Sequence, residues 1–251
     1  MSDLPSPLTQ EAPRPSDALP AAREWASLGD GVVACWLGRV AYRNAHAAQL
    51  SLLEGRARGA EPDTVLLVEH PPTVTCGRSA EAAELEAARQ ACRRHGAELV
   101  ECERGGRLTF HGPGQAVAYP VVHLDAVGRD LHRWLWTLEE AVIRAVGRLG
   151  LAAGRRQDSR GVWVEGRKVA SVGVAVRRWV SYHGVAINVQ ATWPEWRSVE
   201  WCGLGAGAYA SLADFGVQVD LPKVGWAFAE ELAELCRTAD GNGSGPGRRE
   251  R

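Results

Sequence analysis

The stretch Arg104-Gly105-Gly106-Arg107-Leu108-Thr109-Phe110-His111-Gly112-Pro113-Gly114-Gln115 constrains this chain more than any other. The paired glycines give the backbone access to φ > 0 and let another group approach the main chain closely. Gly112-Pro113-Gly114 is a rigid-then-free turn placed just after a titratable side chain. An apolar run from Ala116 to Leu124 follows and reads as a strand entering a core. A cation, a hydroxyl and an imidazole are therefore expected on a loop held between strands.

The elements around this loop follow from periodicity. Val32 to Leu37, Thr64 to Glu69, Val74 to Cys76 and Glu98 to Cys102 read as strands. Val40 to Arg58 has small and apolar residues at helical spacing and stops at Gly59; Ala80 to His95 is a helix stopped by Gly96. Asp130 to Leu149 is a long helix ended by Gly150, with Glu139 and Glu140 read as a solvated face. Three strands are expected next: Gly161 to Glu165, Lys168 to Val176 and Val180 to Gln190, the first two joined by a tight turn at Gly166-Arg167. Ser211 is placed to cap a short turn, and Val224 to Arg237 is the last helix. Helices and strands mix without regular βαβ alternation, which predicts a single α+β domain with a mixed β-sheet flanked by helices. The domain is expected over 26–238, between a Pro-rich tail (1–25) and a Gly-rich tail (239–251), both disordered.

Composition excludes several classes. Twenty-nine basic and 30 acidic residues leave a net charge of -1, so nothing points to nucleic acid or an anionic membrane as partner. No apolar run reaches the ~20 residues of a membrane span, and the N-terminal stretch lacks the basic-then-apolar order of a secretory signal. A cytoplasmic location is expected. There is no P-loop and no GxGxxG opening a helix. No CxxC pair occurs among the six cysteines, and Cys92 with His95 lacks further ligands, so no metal and no cofactor are expected. In the absence of an exposed apolar helix pattern, a monomer is the default.

Lysine occurs only at Lys168 and Lys223 in a chain that otherwise uses arginine. An ammonium can lose its proton near neutral pH when desolvated and a guanidinium cannot. Lys168, in a Gly-flanked strand, is the better candidate for such a task than Lys223 at a helix start. Cys202 lies in Trp-Cys-Gly-Leu-Gly, where glycines leave a thiol approachable and can aim N–H groups at an oxyanion. Cys76, also followed by glycine, is its rival. Among histidines, His111 has the most suggestive setting and His183, before Gly184, the next. His46, His95 and His132 are expected as surface or interface groups on helices.

Taken in order, these motifs resemble the lipoate-protein ligase B family, the octanoyl-[acyl-carrier-protein]:protein octanoyltransferases. Arg104-Gly105-Gly106 with Thr109-Phe110-His111-Gly112-Pro113-Gly114-Gln115 is similar to that family's signature. Glu69-His70-Pro71 with Thr75-Cys76-Gly77-Arg78, Gly166-Arg167-Lys168-Val169-Ala170-Ser171-Val172-Gly173, His183-Gly184-Val185-Ala186-Ile187-Asn188 and Cys202-Gly203 resemble its other motifs. Departures are Trp201 for the usual proline, Phe110 for tyrosine and Ala210 for threonine.

The resemblance implies a biotin/lipoyl-protein-ligase-like fold and cysteine–lysine acyl transfer without a cofactor. Cys202 would carry the acyl group as a thioester, and Lys168 would lower the thiol pKa and move protons. Arg104, Gly105, Gly106, Arg107, Leu108, Thr109, Phe110 and His111, with Ser171, Val172, Gly173, Gly184, Val185 and Ala186, would contact the acyl chain and its carbonyl. The partners implied are octanoyl-acyl carrier protein as donor, and lipoyl domains of 2-oxoacid dehydrogenase E2 subunits and the glycine cleavage H protein as acceptors. The rival readings are an ATP-dependent lipoate or biotin ligase, a transferase between lipoyl domains and a non-catalytic carrier-binding module.

Overall fold

The structure is a computed structural model that describes residues 24–190, 204–205 and 207–241. Its centre is an eight-stranded mixed sheet in the order β1-β2-β3-β7-β11-β10-β9-β8. These strands are β1 (Glu24–Gly29), β2 (Val32–Arg39), β3 (Asp63–Glu69), β7 (Gln115–Val121), β8 (Ala153–Gly154), β9 (Val162–Val164), β10 (Arg167–Arg177) and β11 (Val180–Asn188). Only β2 and β3 run parallel; the other neighbours are antiparallel. A second sheet of three strands pairs β4 (Thr73–Cys76) with β5 (Glu98–Glu101) on one side and β6 (Leu108–His111) on the other.

Strands buried on both faces need cover on both, and four helices supply it: α1 (Tyr42–Ala57), α2 (Ala82–His95), α3 (Leu131–Gly147) and α4 (Leu221–Gly241). Ala116 and Ala118 of β7, with Val185 and Ile187 of β11, face the core under α3 and α4. Val117 and Tyr119, with Ala186, face the core under α1. The two sets alternate along each strand as the pleat requires. The short sheet packs on α2 through Val74, Leu108, Ala88 and Cys92.

The termini of the helices are set locally. Asp130 accepts from the backbone N–H groups of His132 (2.8 Å) and Arg133 (3.1 Å) and caps α3. Gly96 ends α2 with φ +67. Ser211 opens a single 3₁₀ turn, Leu212–Phe215, through a reciprocal bond with Asp214. None of the described helices is long and apolar enough to cross a membrane.

Several expectations need correction. The stretch 104–115 is not all loop, because β6 occupies Leu108–His111 within it. The turn between β9 and β10 is Glu165-Gly166, both at positive φ, one residue earlier than expected. Glu139 is not on a solvated face: it is buried, accepts from the Gly161 N–H at 3.0 Å and pairs with Arg155 at 3.3 Å. β1 was not visible in the sequence pattern, and α4 is longer at both ends than its periodicity.

Candidate active site

A cleft opens where β6, β7, β10 and β11 meet α1. Val117, Val172, Val185 and Ala186 make its apolar lining, and Tyr42, Arg104, Thr109, His111, Tyr119, Ser171 and His183 bring polar atoms. Gly173 and Gly184 expose backbone to it. Packing requires glycine at 184 and crowds position 173. A Cβ on Gly184 would strike the Ala118 carbonyl and approach Pro120 Cδ to 2.6 Å, and one on Gly173 would lie 3.2 Å from the Gly105 carbonyl. Gly105 in turn donates to the Val174 carbonyl at 2.9 Å, so the Arg-Gly-Gly segment docks on β10 by backbone.

The alternation of β6 sorts the residues of the 104–111 stretch. Thr109 and His111 line the cleft, while Leu108 and Phe110 pack on the α2 side. Arg107 reaches α2, where Glu84 lies at 2.8 Å and Glu81 at 3.2 Å. Gly106 has φ +83 and lies against Gly77, whose own lack of a side chain admits the Gly106 carbonyl. Arg104, Ser171, Val172, Gly173, Gly184, Val185 and Ala186 all reach the cleft.

Behind the cleft runs one hydrogen-bonded line. Arg104 is 7% exposed and donates Nη2 to the Thr75 carbonyl (2.7 Å) and hydroxyl (2.8 Å) and Nη1 to the Gly105 carbonyl (3.0 Å). Thr75 Oγ1 lies 3.2 Å from His111 Nε2, and His111 Nδ1 lies 3.0 Å from Gln115 Oε1. Gln115 Nε2 donates to Asn188 Oδ1 (2.9 Å), whose amide donates to the Ala210 carbonyl (3.0 Å). With Gln115 donating through nitrogen, its oxygen accepts, so the proton of His111 sits on Nδ1 and Nε2 accepts from Thr75. Burial, then the neighbouring His70 and Arg104, hold His111 well below the ordinary imidazole pKa. His70, fully buried, bonds the Val40 carbonyl through Nδ1 (2.6 Å) and Tyr119 Oη through Nε2 (2.8 Å), and burial lowers its pKa to about 4. Both rings are neutral at pH 7. Each ring uses both of its nitrogens in hydrogen bonds within the protein.

The line continues to Lys168. Its backbone is clamped by residues 208–210: its N–H donates to the Ala208 carbonyl (2.8 Å) and its carbonyl accepts from the Ala210 N–H (3.0 Å). The side chain is 8% exposed, with Nζ 5.8 Å from the Trp163 ring and 5.9 Å from the Tyr209 ring. Gly161 leaves room for its stem, since a Cβ there would lie 2.6 Å from Lys168 Cε. Cys202 lies outside the described residues; Gly205, three positions on, accepts from the Ala208 N–H at 3.1 Å. Cys76 is buried in the second sheet, and burial raises its pKa. Cys35 is pushed up to about 12 by the same cause. Neither thiol is primed as a nucleophile.

Residues 41–232 match the lipoyl protein ligase A/B catalytic domain. The chain belongs to this family. It is 45% identical over 181 residues to the octanoyltransferase of Geobacter metallireducens, covering 70% of this chain and 80% of that one. The fold is similar to a bi-partite lipoate protein ligase of Thermoplasma acidophilum (TM-score 0.56, 20% identity, 75% of this chain and 79% of that one). It is also similar to the biotin protein ligase of Aquifex aeolicus, whose structure is a complex with biotin and ATP (TM-score 0.53, 14% identity, 85% of this chain and 73% of that one). These likenesses establish the biotin/lipoyl-ligase-like α+β fold.

Sequence reasoning missed Gln49, Tyr42 and His46 near the site. All three lie on α1, where helical spacing of small residues reads as ordinary core. Gln49 is fully buried and its Oε1 accepts from the His183 N–H at 2.7 Å. His46 is only partly exposed, with its ring stacked on His183 at 5.3 Å between centroids.

Proposed function

We propose that this protein transfers an octanoyl group from an acyl carrier protein thioester to a lysine of a lipoyl domain, through a thioester on Cys202. The chain is an acyltransferase, and the octanoyl group follows from relatives that carry that name. The observation that carries the two-residue chemistry is the clamp on Lys168. The segment that holds its backbone, Ala208 to Ala210, begins six residues after Cys202.

The chemistry follows from the nature of the groups. A thioester is already activated, so no nucleotide is needed to form an amide from it. The Cys202 thiolate attacks the donor carbonyl, the carrier's C–S bond breaks, and the carrier thiolate takes a proton from Lys168. The acceptor amine then attacks the enzyme thioester, its proton passes to Lys168, and Cys202 leaves as thiolate. An ammonium beside the thiol stabilises the thiolate in the first step, and the same group must be neutral to accept in the second. A desolvated lysine can do both near neutral pH, and an arginine cannot.

The cleft supplies the acyl site. Its three valines and Ala186 suit a saturated chain, and Arg104 places a buried positive charge in the wall whose hydrogen bonds go to neutral oxygens. That charge favours the negative charge that develops on an acyl carbonyl oxygen. The test is transfer in a mixture of octanoyl carrier protein, a lipoyl domain and this enzyme, without ATP. The mass of the lipoyl domain rises by one octanoyl group if the reading holds. If acylation of the domain requires free acid and ATP, the protein is a ligase instead.

A further inference from the structure

The carboxylate of Glu103 lies between two imidazoles drawn from distant parts of the chain. His46 Nε2 of α1 is 3.2 Å from Glu103 Oε2, and His183 Nε2 of β11 is 3.6 Å from the same oxygen. All three ligand atoms lie within 4.8 Å of one another. Both Nε2 atoms are buried, and neither makes a hydrogen bond among the described residues. His183 is 1% exposed, so its orphaned nitrogen is shut away from water. Leaving a buried polar atom unpaired is costly, and such a cluster needs an occupant.

We propose that His46, Glu103 and His183 bind one zinc-class divalent cation. With metal–ligand distances of ~2.0–2.1 Å, tetrahedral ligands lie roughly 3.3 Å apart. The two nitrogen–oxygen separations already sit near that edge length. Closing the remaining nitrogen–nitrogen edge needs a tilt of the His46 ring, which is the more exposed of the two. Two imidazoles and one carboxylate are a set that suits zinc over magnesium or calcium, and three protein ligands leave a fourth position open. The second sphere is prepared as well. His183 Nδ1 lies 3.4 Å from the Tyr42 hydroxyl, and a proton held on Nδ1 leaves the Nε2 lone pair for a metal.

His183 adopts φ +58, a left-handed conformation that non-glycine residues take at a cost, and the cluster gives that strain a purpose. The ion joins α1, the segment leading into Arg104 and the strand that carries Gly184. It fastens the wall of the cleft that His183 lines, and takes no part in the bond changes proposed above.

The test is zinc titration of the full chain, stripped with chelator, by calorimetry, alongside His46→Gln and Glu103→Gln, which keep side-chain size. Wild type is expected to bind one zinc per chain, with affinity at least ~100-fold above that of either variant. At a hundredfold excess over Kd, zinc is expected to raise Tm by roughly 5–10 °C in wild type and not in the variants. Cobalt(II) in place of zinc should show ligand-field bands without thiolate charge transfer. Binding that is equal in all three proteins, a thiolate band, or no stoichiometric binding by folded wild type overturns the proposal.

Discussion

Arg104 shows how much one buried residue can organise. Its guanidinium is held by neutral oxygens, chiefly those of Thr75, and the Thr75 hydroxyl also serves His111. Thr75→Val keeps the shape but leaves two buried groups short of a partner. We expect it to cost ~1–3 kcal/mol, read as a fall in Tm of several degrees. Lys168→Arg keeps a cation but removes the deprotonatable amine, and should lower kcat ~10²–10⁴-fold at pH 7 with an unchanged Tm. The buried histidines add a pH dependence of defined sign. His70 titrates at about 4 when folded and near 6.5 when unfolded, so the unfolded chain binds the extra proton between these values. Stability is full above about pH 6.5 and falls as pH drops toward 4, with a slope of up to ~1.4 kcal/mol per unit from this residue. Thermal melts across that range check it, and His70→Gln should flatten the dependence.

At the scale of elements, the turn that follows His111 is the most demanding. Gly114 has φ +88, donates its N–H to Glu69 Oε1 at 2.9 Å, and its carbonyl accepts from Val189 and Gln190. A Cβ there would strike the Gln190 carbonyl, so Gly114→Ala must move a strand end and should be among the most damaging single changes. Removing the α3 cap with Asp130→Ala is milder, ~1 kcal/mol, or a Tm lower by roughly 2–4 °C. Punctuation of this kind is what the sequence made legible: Gly96, Gly150, Asp130 and Gly112-Pro113-Gly114 all mark real ends. What it hid were pairings across distance. Glu139 looked like a surface acid because nothing local to α3 announces Arg155 and the Gly161 N–H. β6 was obscured by the glycines on either side of it, since its partner strand β4 lies more than thirty residues earlier. His46 looked superficial because its companions, Glu103 and His183, come from other elements.

For the whole molecule, sheet and helices bring four separated motifs onto one line of hydrogen bonds, from Arg104 through Thr75, His111, Gln115 and Asn188 to the segment that clamps Lys168. That convergence explains why residues scattered over the chain read as one site once their motifs were taken together. Lys168 stands out by composition and the glycines of 104–115 by turn chemistry without tertiary information; the network joining these segments does not. The central claim is that Cys202 carries the acyl group. The measurement is intact mass of the enzyme after brief exposure to octanoyl carrier protein, with Cys202→Ala and Cys76→Ala in parallel. The account predicts one hydroxylamine-labile octanoyl adduct on wild type and Cys76→Ala, and none on Cys202→Ala. An adduct that persists in Cys202→Ala would contradict it.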